Sequence, residues 1–305
     1  MIGVFDSGHG GLTVLQAMVD ALPQRQFVYL GDHGHAPYGD RTPDEIYGLT
    51  ITAVEQLFAL DCRLVVLACN TAAATALRRL QQTWLPAHAP DRRVLGVLVP
   101  MVEAITGVPW MADVAPAGHV GEPRTIAVFA TRQTVASGAF PREINKRAPE
   151  VAVVQQACPN LAALIEDGAP RAVLADTVHR YVAELMDKLA GQPPQAVLLG
   201  CTHYPLVIDM FAESLPTGVD ILSQPTLTAR SLSAYLASHA GLDHCPPLPQ
   251  PVRFYTSGAP PRVSRLASAL YGREVTFEGI ENGLRAAVGS RRVVAGTKPD
   301  HDATY

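Results

Sequence analysis

The chain has 305 residues, of which 48% are hydrophobic and 17% charged, and a net charge of −4. That length can bury a full core in two lobes. The composition excludes a disordered chain, and charge spread without long single-sign runs leaves no electrostatic footprint for nucleic acid or an anionic membrane. No apolar run approaches the ~18 residues of a membrane span. MIGVFDSG enters structure at once, with neither the basic nor the apolar region of a secretory signal, so a cytoplasmic location is expected.

Apolar runs of strand length alternate with helical patterns from end to end. IGVF (2–5), FVYL (27–30), LVVLA (64–68), VLGVLV (94–99), TIAVFA (125–130), VAVVQ (151–155), AVLLG (196–200), VDIL (219–222) and VRFYT (252–256) predict strands. Helical stretches fall between them, at 11–21, 43–60, 71–83, 133–147, 171–190, 228–239 and 260–271. Continuous strand hydrophobicity means burial on both faces, which predicts an α/β fold with mainly parallel sheets. The two halves repeat the same strand–turn–helix logic without a clean internal repeat. Residues 106–123, rich in Pro and Gly, predict a long loop; 243–251 predict a Pro-stiffened connector, and 286–305 a flexible tail.

The turns carry the chemistry. DSGHGG (6–11) places a carboxylate and a hydroxyl at the C-terminal end of the first strand, the ligand edge of an open α/β sheet, with glycines that let backbone N–H groups approach an anion. In GDHGHAPYG (31–39), Asp32, His33 and His35 are a poor metal set, because two neighbouring histidines lack a third clustered partner. Its PYG element, Pro37, Tyr38 and Gly39, suits a carboxylate clamp. Cys69 ends LVVLA and opens CNTA; Cys201 ends AVLLG and opens CTHYP. Each reads as a thiol delivered by a buried strand to the mouth of a helix, where unpaired N–H groups favour a thiolate. One such cysteine suggests a nucleophile, whereas two presented alike suggest two bases facing one substrate.

Thr131 and Thr134, where TIAVFA gives way to a helix, are either N-caps or ligand contacts. Cys158 before Pro159 reads as a structural thiol and Glu166 as a solvated carboxylate near a helix end. Five cysteines with no CxxC fit a reducing compartment, with Cys62 and Cys245 as small buried thiols. Only three lysines occur, Lys146, Lys188 and Lys298, and none stands at a strand end. A pyridoxal Schiff base is therefore not expected, and neither is any other cofactor or a metal.

Taken in order, GVFDSGHGGLTVL, YLGDHGHAPYG, ACNTAAATAL, FATRQTVASGAF, ACPNLAALIEDG, LGCTHYPL and FYTSGAPP closely resemble the glutamate racemase family, within the cofactor-independent aspartate/glutamate racemases. The strings cover most of residues 1–280, and DSGxGG, PYG, CNTA and GCTHYP together are highly specific. The resemblance implies two αβα sandwich lobes with the active site between them: residues 1–98 and 210–285 in the first, 99–209 in the second. It implies interconversion of L- and D-glutamate for peptidoglycan, with Cys69 exchanging a proton with D-glutamate and Cys201 with L-glutamate.

Asp6 and His203 would assist the two thiols. Ser7, Tyr38 and Gly39 would hold the side-chain carboxylate; Asn70, Thr71 and Thr202 would meet the α-carboxylate. Thr131 and Thr134 match the family's substrate-binding threonines, and Glu166 matches an accessory acidic position. A homodimer is expected. Because the chain begins almost at the first strand, activation by a peptidoglycan precursor is not. His9, His33, His35 and Arg132 depart from the family's usual residues, so the pocket's polarity is its own. The alternatives are a racemase of aspartate or another acidic amino acid on the same frame, and a non-enzymatic regulatory protein, for example one acting on DNA gyrase. A dithiol redox protein would need the two sulfurs within bonding distance.

Overall fold

In the computed structural model, residues 1–109, 124–239 and 252–286 are described. Most of the expected long loop, the Pro-rich connector with Cys245 and nearly all of the tail lie outside the described residues. Among the described residues, ten strands form two sheets. The first contains β1 (Ile2–Asp6), β2 (Phe27–Gly31), β3 (Leu64–Leu67), β4 (Arg93–Gly96), β9 (Val252–Thr256) and β10 (Glu278–Gly279), in the order β10-β9-β2-β1-β3-β4. The second contains β5 (Arg124–Ala130), β6 (Val151–Ala157), β7 (Ala196–Gly200) and β8 (Asp220–Leu222), in the order β6-β5-β7-β8. Every pairing is parallel. β1, β2, β3 and β7 are buried at every residue, as their unbroken hydrophobicity requires.

Both sheets obey one rule. The second strand of each unit joins one side of the first, and the third strand crosses to the other side, giving β2-β1-β3-β4 and β6-β5-β7-β8. Strand order therefore reverses beside β1 in one sheet and beside β5 in the other. At such a reversal the following helices leave in opposite directions and open a crevice at the strands' C-terminal ends. Asp6 and Cys69 stand at that edge of the first sheet, Thr131 and Cys201 at that edge of the second.

Three local expectations need correction. The run VLGVLV is not one strand: β4 stops at Gly96 and a helix begins at Leu98 (Leu98–Thr106), ended by Gly107 in the left-handed region at φ 68°. A short apolar run fits a buried strand and a buried helix start equally well. The helix expected over 133–147 is two, Arg132–Ser137 and Ala139–Arg147, broken at Gly138 with φ 60°. The return to the first lobe, expected at residue 210, comes later in the chain, because β8 pairs with β7 and places residues 220–222 in the second sheet.

One apolar core spans both sheets. β5 alternates with the strand's two-residue period: Ile126, Val128 and Ala130 join the core of the first sheet, while Ala127 and Phe129 face a smaller core with Leu161, Val178 and Phe211. The larger core also takes Met101 and Ile105 from helix Leu98–Thr106, Phe140 and Ile144 from helix Ala139–Arg147, and Leu232 and Leu236 from helix Gln224–Ser238. The strand ends of the two sheets are thus fixed against one another by packing. No helix among the described residues is long and apolar enough to cross a membrane.

Candidate active site

Between the two strand edges lies a cavity of about 470 Å³, and both Cys69 and Cys201 line it. Ser7, the Pro37–Tyr38–Gly39 turn, Asn70, Thr71, Thr131, Glu166, Thr202 and His203 share the wall. Asp6 and Thr134 are fully buried behind it.

Cys69 follows β3 and caps the helix Asn70–Thr75, its sulfur accepting the Ala72 N–H at 3.5 Å. Ser7 Oγ is 3.4 Å from the same sulfur. Burial pushes this thiol up to about 12, and the nearby Asp6 charge adds to the rise, against the opposing hydrogen bonds from Ser7 and Ala72. Asp6 accepts the Gly8 N–H at 2.8 Å and the Thr202 hydroxyl at 3.1 Å. Its own carboxyl is raised, chiefly by burial.

Cys201 follows β7 in a different local setting. A turn and a short 3-10 helix (Tyr204–Val207) follow it, where an α-helix mouth is expected. Its sulfur lies 3.7 Å from His203 Nδ1. On the far side of that ring, Nε2 donates to Glu166 Oε1 at 2.7 Å. Burial opposes charge on His203, yet the Glu166 carboxylate outweighs it and holds the imidazole well above its ordinary 6.5. Burial likewise works against the Glu166 charge, and the His203 cation overrides it, leaving this carboxyl well below its ordinary 4.5. The two form an ion pair with Glu166 only 20% exposed, so Glu166 is not the solvated carboxylate its sequence position suggests.

Glycines make this arm possible. A Cβ on Gly10 would sit 2.6 Å from His203 Nδ1, and one on Gly8 would sit 2.1 Å from Glu166 Oε1. The DSGHGG turn is therefore stripped of side chains where the histidine and the carboxylate cross it.

Several expected substrate contacts are already engaged. Asn70 and Gln224 exchange amide hydrogen bonds, Asn70 Nδ2 donating at 2.7 Å and Gln224 Nε2 donating back. Asn70 is buried, and a buried carboxamide must satisfy both ends, so its side chain serves the fold. Tyr38 donates its hydroxyl to Asp32 at 2.6 Å, which leaves the ring to line the cavity. Asp32 also meets His35 at 2.8 Å and the Ser257 hydroxyl at 2.5 Å, and His33 bonds Thr256 Oγ1 at 2.9 Å. That network accounts for the residues weighed as a metal set; no metal-holding cluster occurs among the described residues. Thr71, Thr131 and Thr134 form a hydroxyl triangle, with contacts of 2.9, 3.4 and 3.0 Å, that joins the helix after Cys69 to the helix after β5. Thr131 also caps its own helix by accepting the Thr134 N–H, so it is an N-cap that at the same time lines the cavity.

The structure brings to the cavity residues that the sequence did not place in the site. Cys158 lines the cavity, its thiol raised by burial. His9 contacts Glu166, and Arg262 and Val263 bring the helix Pro260–Tyr271 to the rim. Only the unusual histidine in DSGHGG gave a signal; the others depend on pairings across most of the chain.

The family model for Asp/Glu/hydantoin racemases matches residues 2–232. The chain belongs to this family. It is similar to the glutamate racemase of Caulobacter sp. (strain K31), 46% identical over 282 residues, with 91% of this chain and 99% of the relative covered. It is 47% identical over 276 residues to the glutamate racemase of Roseobacter denitrificans, covering 90% of this chain and 98% of that one. Among solved structures, glutamate racemase isoform RacE1 from Bacillus anthracis matches with a TM-score of 0.77 at 30% identity, covering 92% of this chain and 96% of the other. The Francisella tularensis glutamate racemase in complex with D-glutamate matches with a TM-score of 0.76 at 25% identity, covering 92% and 98%. The chain thus shares its overall fold with these solved glutamate racemases.

Proposed function

We propose that this protein is a glutamate racemase that moves the α-proton between two thiols without a cofactor, supplying D-glutamate for peptidoglycan. The observation that carries the reading is topological. Cys69 and Cys201 follow the equivalent third strands of two like-ordered sheets and open into one cavity. Two acid–base groups on opposite walls are what inversion at a carbon acid needs, because one removes the proton from one face and the other delivers it to the opposite face.

The difficulty is energetic. An α-proton is far less acidic than a thiol of ordinary pKa ~8.5, so the developing carbanion must be stabilised. Backbone N–H groups at Asn70, Thr71, Thr202 and His203, on the cavity wall, are the candidate donors to the α-carboxylate. Each preorganised donor is worth about 3–4 kcal/mol at such a site. Thr71 and Thr131 offer hydroxyls from the same wall. Cys201 is the base toward L-glutamate, with His203 taking its proton; Cys69, kept a thiol by its surroundings, is then the donor that completes D-glutamate. The roles reverse in the other direction. The protein acts in the cytoplasm as a homodimer.

The test is α-proton exchange followed by NMR in deuterated water, with L- or D-glutamate and no added pyridoxal phosphate or metal. Loss of the α-proton signal with appearance of the other enantiomer, absent in Cys69→Ala and Cys201→Ala, is expected. Exchange of aspartate but not glutamate would replace the substrate and keep the mechanism. No exchange with either would refute racemase activity.

A further inference from the structure

Residues that follow strands of the first sheet meet residues that follow strands of the second at two places on the cavity wall. The two are built differently. At the first, the turn after β2 and the helix after β3 are stitched to the helix after β5. Thr71 and Thr131 share a hydroxyl contact of 2.9 Å. Gln133 Nε2 donates to the Arg41 carbonyl oxygen at 2.6 Å, and Arg132 stands 3.6 Å from Asp40. Gly39 lies so close that a Cβ there would sit 3.0 Å from the Cβ of Thr131. An amino acid entering here would have to part these contacts.

The second place lies between helix Leu161–Glu166, after β6, and helix Pro260–Tyr271, after β9. Ala259, Arg262, Val263 and Leu266 recur at helical spacing, so one face of the latter helix borders the cavity. No hydrogen bond or ion pair joins these two helices among the described residues. The sheets are held together on this side by buried groups, chiefly Glu166, which accepts the His9 backbone N–H at 2.7 Å.

The charges differ in the same sense. At the stitched place Arg132 is matched by Asp40. At the other, Arg262 is exposed and lines the cavity, and its side chain has no hydrogen bond or ion pair among the described residues. Across the gap Glu166 is neutralised by His203, which leaves the exposed Asp167, and it does not pair with Arg262. Burial and the proximity of His9 push His33 down to about 3, so that ring adds no charge to the wall. Arg262 therefore holds its donors unspent at the unstitched way into the cavity.

We propose that substrate enters between these two helices and that Arg262 captures it, taking a carboxylate of the incoming acidic amino acid before it reaches the thiols. This rests on the racemase reading above. A guanidinium presents a carboxylate with two parallel N–H donors. Near neutral pH glutamate carries two carboxylates and one ammonium, so its net negative charge is drawn to an unmatched cation. A neutral amino acid such as glutamine feels no such net pull. Asp167 across the gap opposes the attraction and keeps it modest.

The test measures kcat and KM for L- and D-glutamate with the whole enzyme at ~20 mM and ~500 mM salt, which takes screening of exposed charges from weak to strong. Arg262→Lys keeps the charge, Arg262→Met keeps the apolar stem alone, and Arg262→Glu reverses the charge. Arg265→Met removes an exposed cation from the same helix, off the cavity wall. At low salt Arg262→Met should raise KM about three- to fivefold with kcat little changed, the range of one exposed charge pair. Arg262→Glu should raise it about tenfold, Arg262→Lys should stay within about twofold, and Arg265→Met should be silent. At high salt all four should converge on the wild type. A Lys variant as poor as Met, losses untouched by salt, a fall in kcat at constant KM, or an equal loss in Arg265→Met would overturn the proposal. If the wild type racemises no acidic amino acid, the racemase reading and the capture role fall together. If it racemises glutamate while the four variants behave alike, only the capture role falls.

Discussion

Cys69 and Cys201 occupy the same place in two copies of one topology, yet their surroundings equip them differently. Cys69 has a helix N–H at 3.5 Å, a serine hydroxyl at 3.4 Å and a buried carboxylate nearby. Cys201 has a histidine at 3.7 Å backed by an ion pair. A two-base racemase needs one thiol and one thiolate at the start of each turnover. Symmetric surroundings would leave that choice undecided, whereas here burial and the Asp6 charge disfavour the Cys69 thiolate and a histidine stands beside Cys201. Topology places the sulfurs, and the side chains behind them make the two settings unlike.

The comparison fails outright if the two thiols are not both required. Cys69→Ala and Cys201→Ala are each expected to lower racemisation about 10⁴-fold, as loss of an essential acid–base group does, measured by circular dichroism of glutamate. A variant keeping near-wild-type turnover would remove its thiol from the mechanism.

The protonation difference can be read directly by alkylation. A thiol at about 12 instead of the ordinary 9.0 carries about a thousandfold less thiolate near neutral pH. Iodoacetamide followed by peptide mass spectrometry should therefore label Cys69 only slowly near neutral pH, with labelling rising about tenfold per pH unit on the way to 12. Rapid labelling of Cys69 near neutral pH would show that its surroundings do not hold it as a thiol.

Glu166→Gln removes the charge that holds His203 protonated, and should cost about a hundredfold in kcat/KM. It also changes the pH dependence of stability. A carboxyl lowered in the fold stabilises above its ordinary 4.5, and that contribution is lost as pH falls. An imidazole raised in the fold stabilises below its ordinary 6.5, and that contribution is lost as pH climbs through the raised value. The urea midpoint of the wild type should therefore drop more steeply than that of Glu166→Gln on acidification below 4.5. Parallel curves would place the carboxylate outside the pair. The smallest effect belongs to Ser7→Ala, which loses one hydrogen bond to sulfur: about fivefold in kcat/KM, or ~1 kcal/mol. A hundredfold loss there would give Ser7 a larger part than this contact supports.

Much of this was legible in the sequence, for a physical reason. Strands buried on both faces show as unbroken apolar runs, so β1, β2, β3, β5 and β7 and the turns after them could be read, and with them Asp6, Cys69, Thr131 and Cys201. What could not be read depends on distance along the chain. Nothing local tells that Asn70 will spend its amide on Gln224, 154 positions on, or that Glu166 will be neutralised by His203 and crossed by His9. The VLGVLV run misleads for the opposite reason, since β4 and the next helix are equally apolar and only their packing separates them.

The core shared by both sheets has a mechanical meaning. The two sulfurs hang from different sheets, so the gap between them is set by whatever spaces the sheets apart. That spacer includes the packing of Met101, Ile105, Phe140 and Ile144, none of which lines the cavity. It works as a calliper: a methylene lost there is expected to change the gap between the two sulfurs as well as the stability of the fold. The active site is therefore larger than its lining, and extends into apolar residues that never meet the substrate.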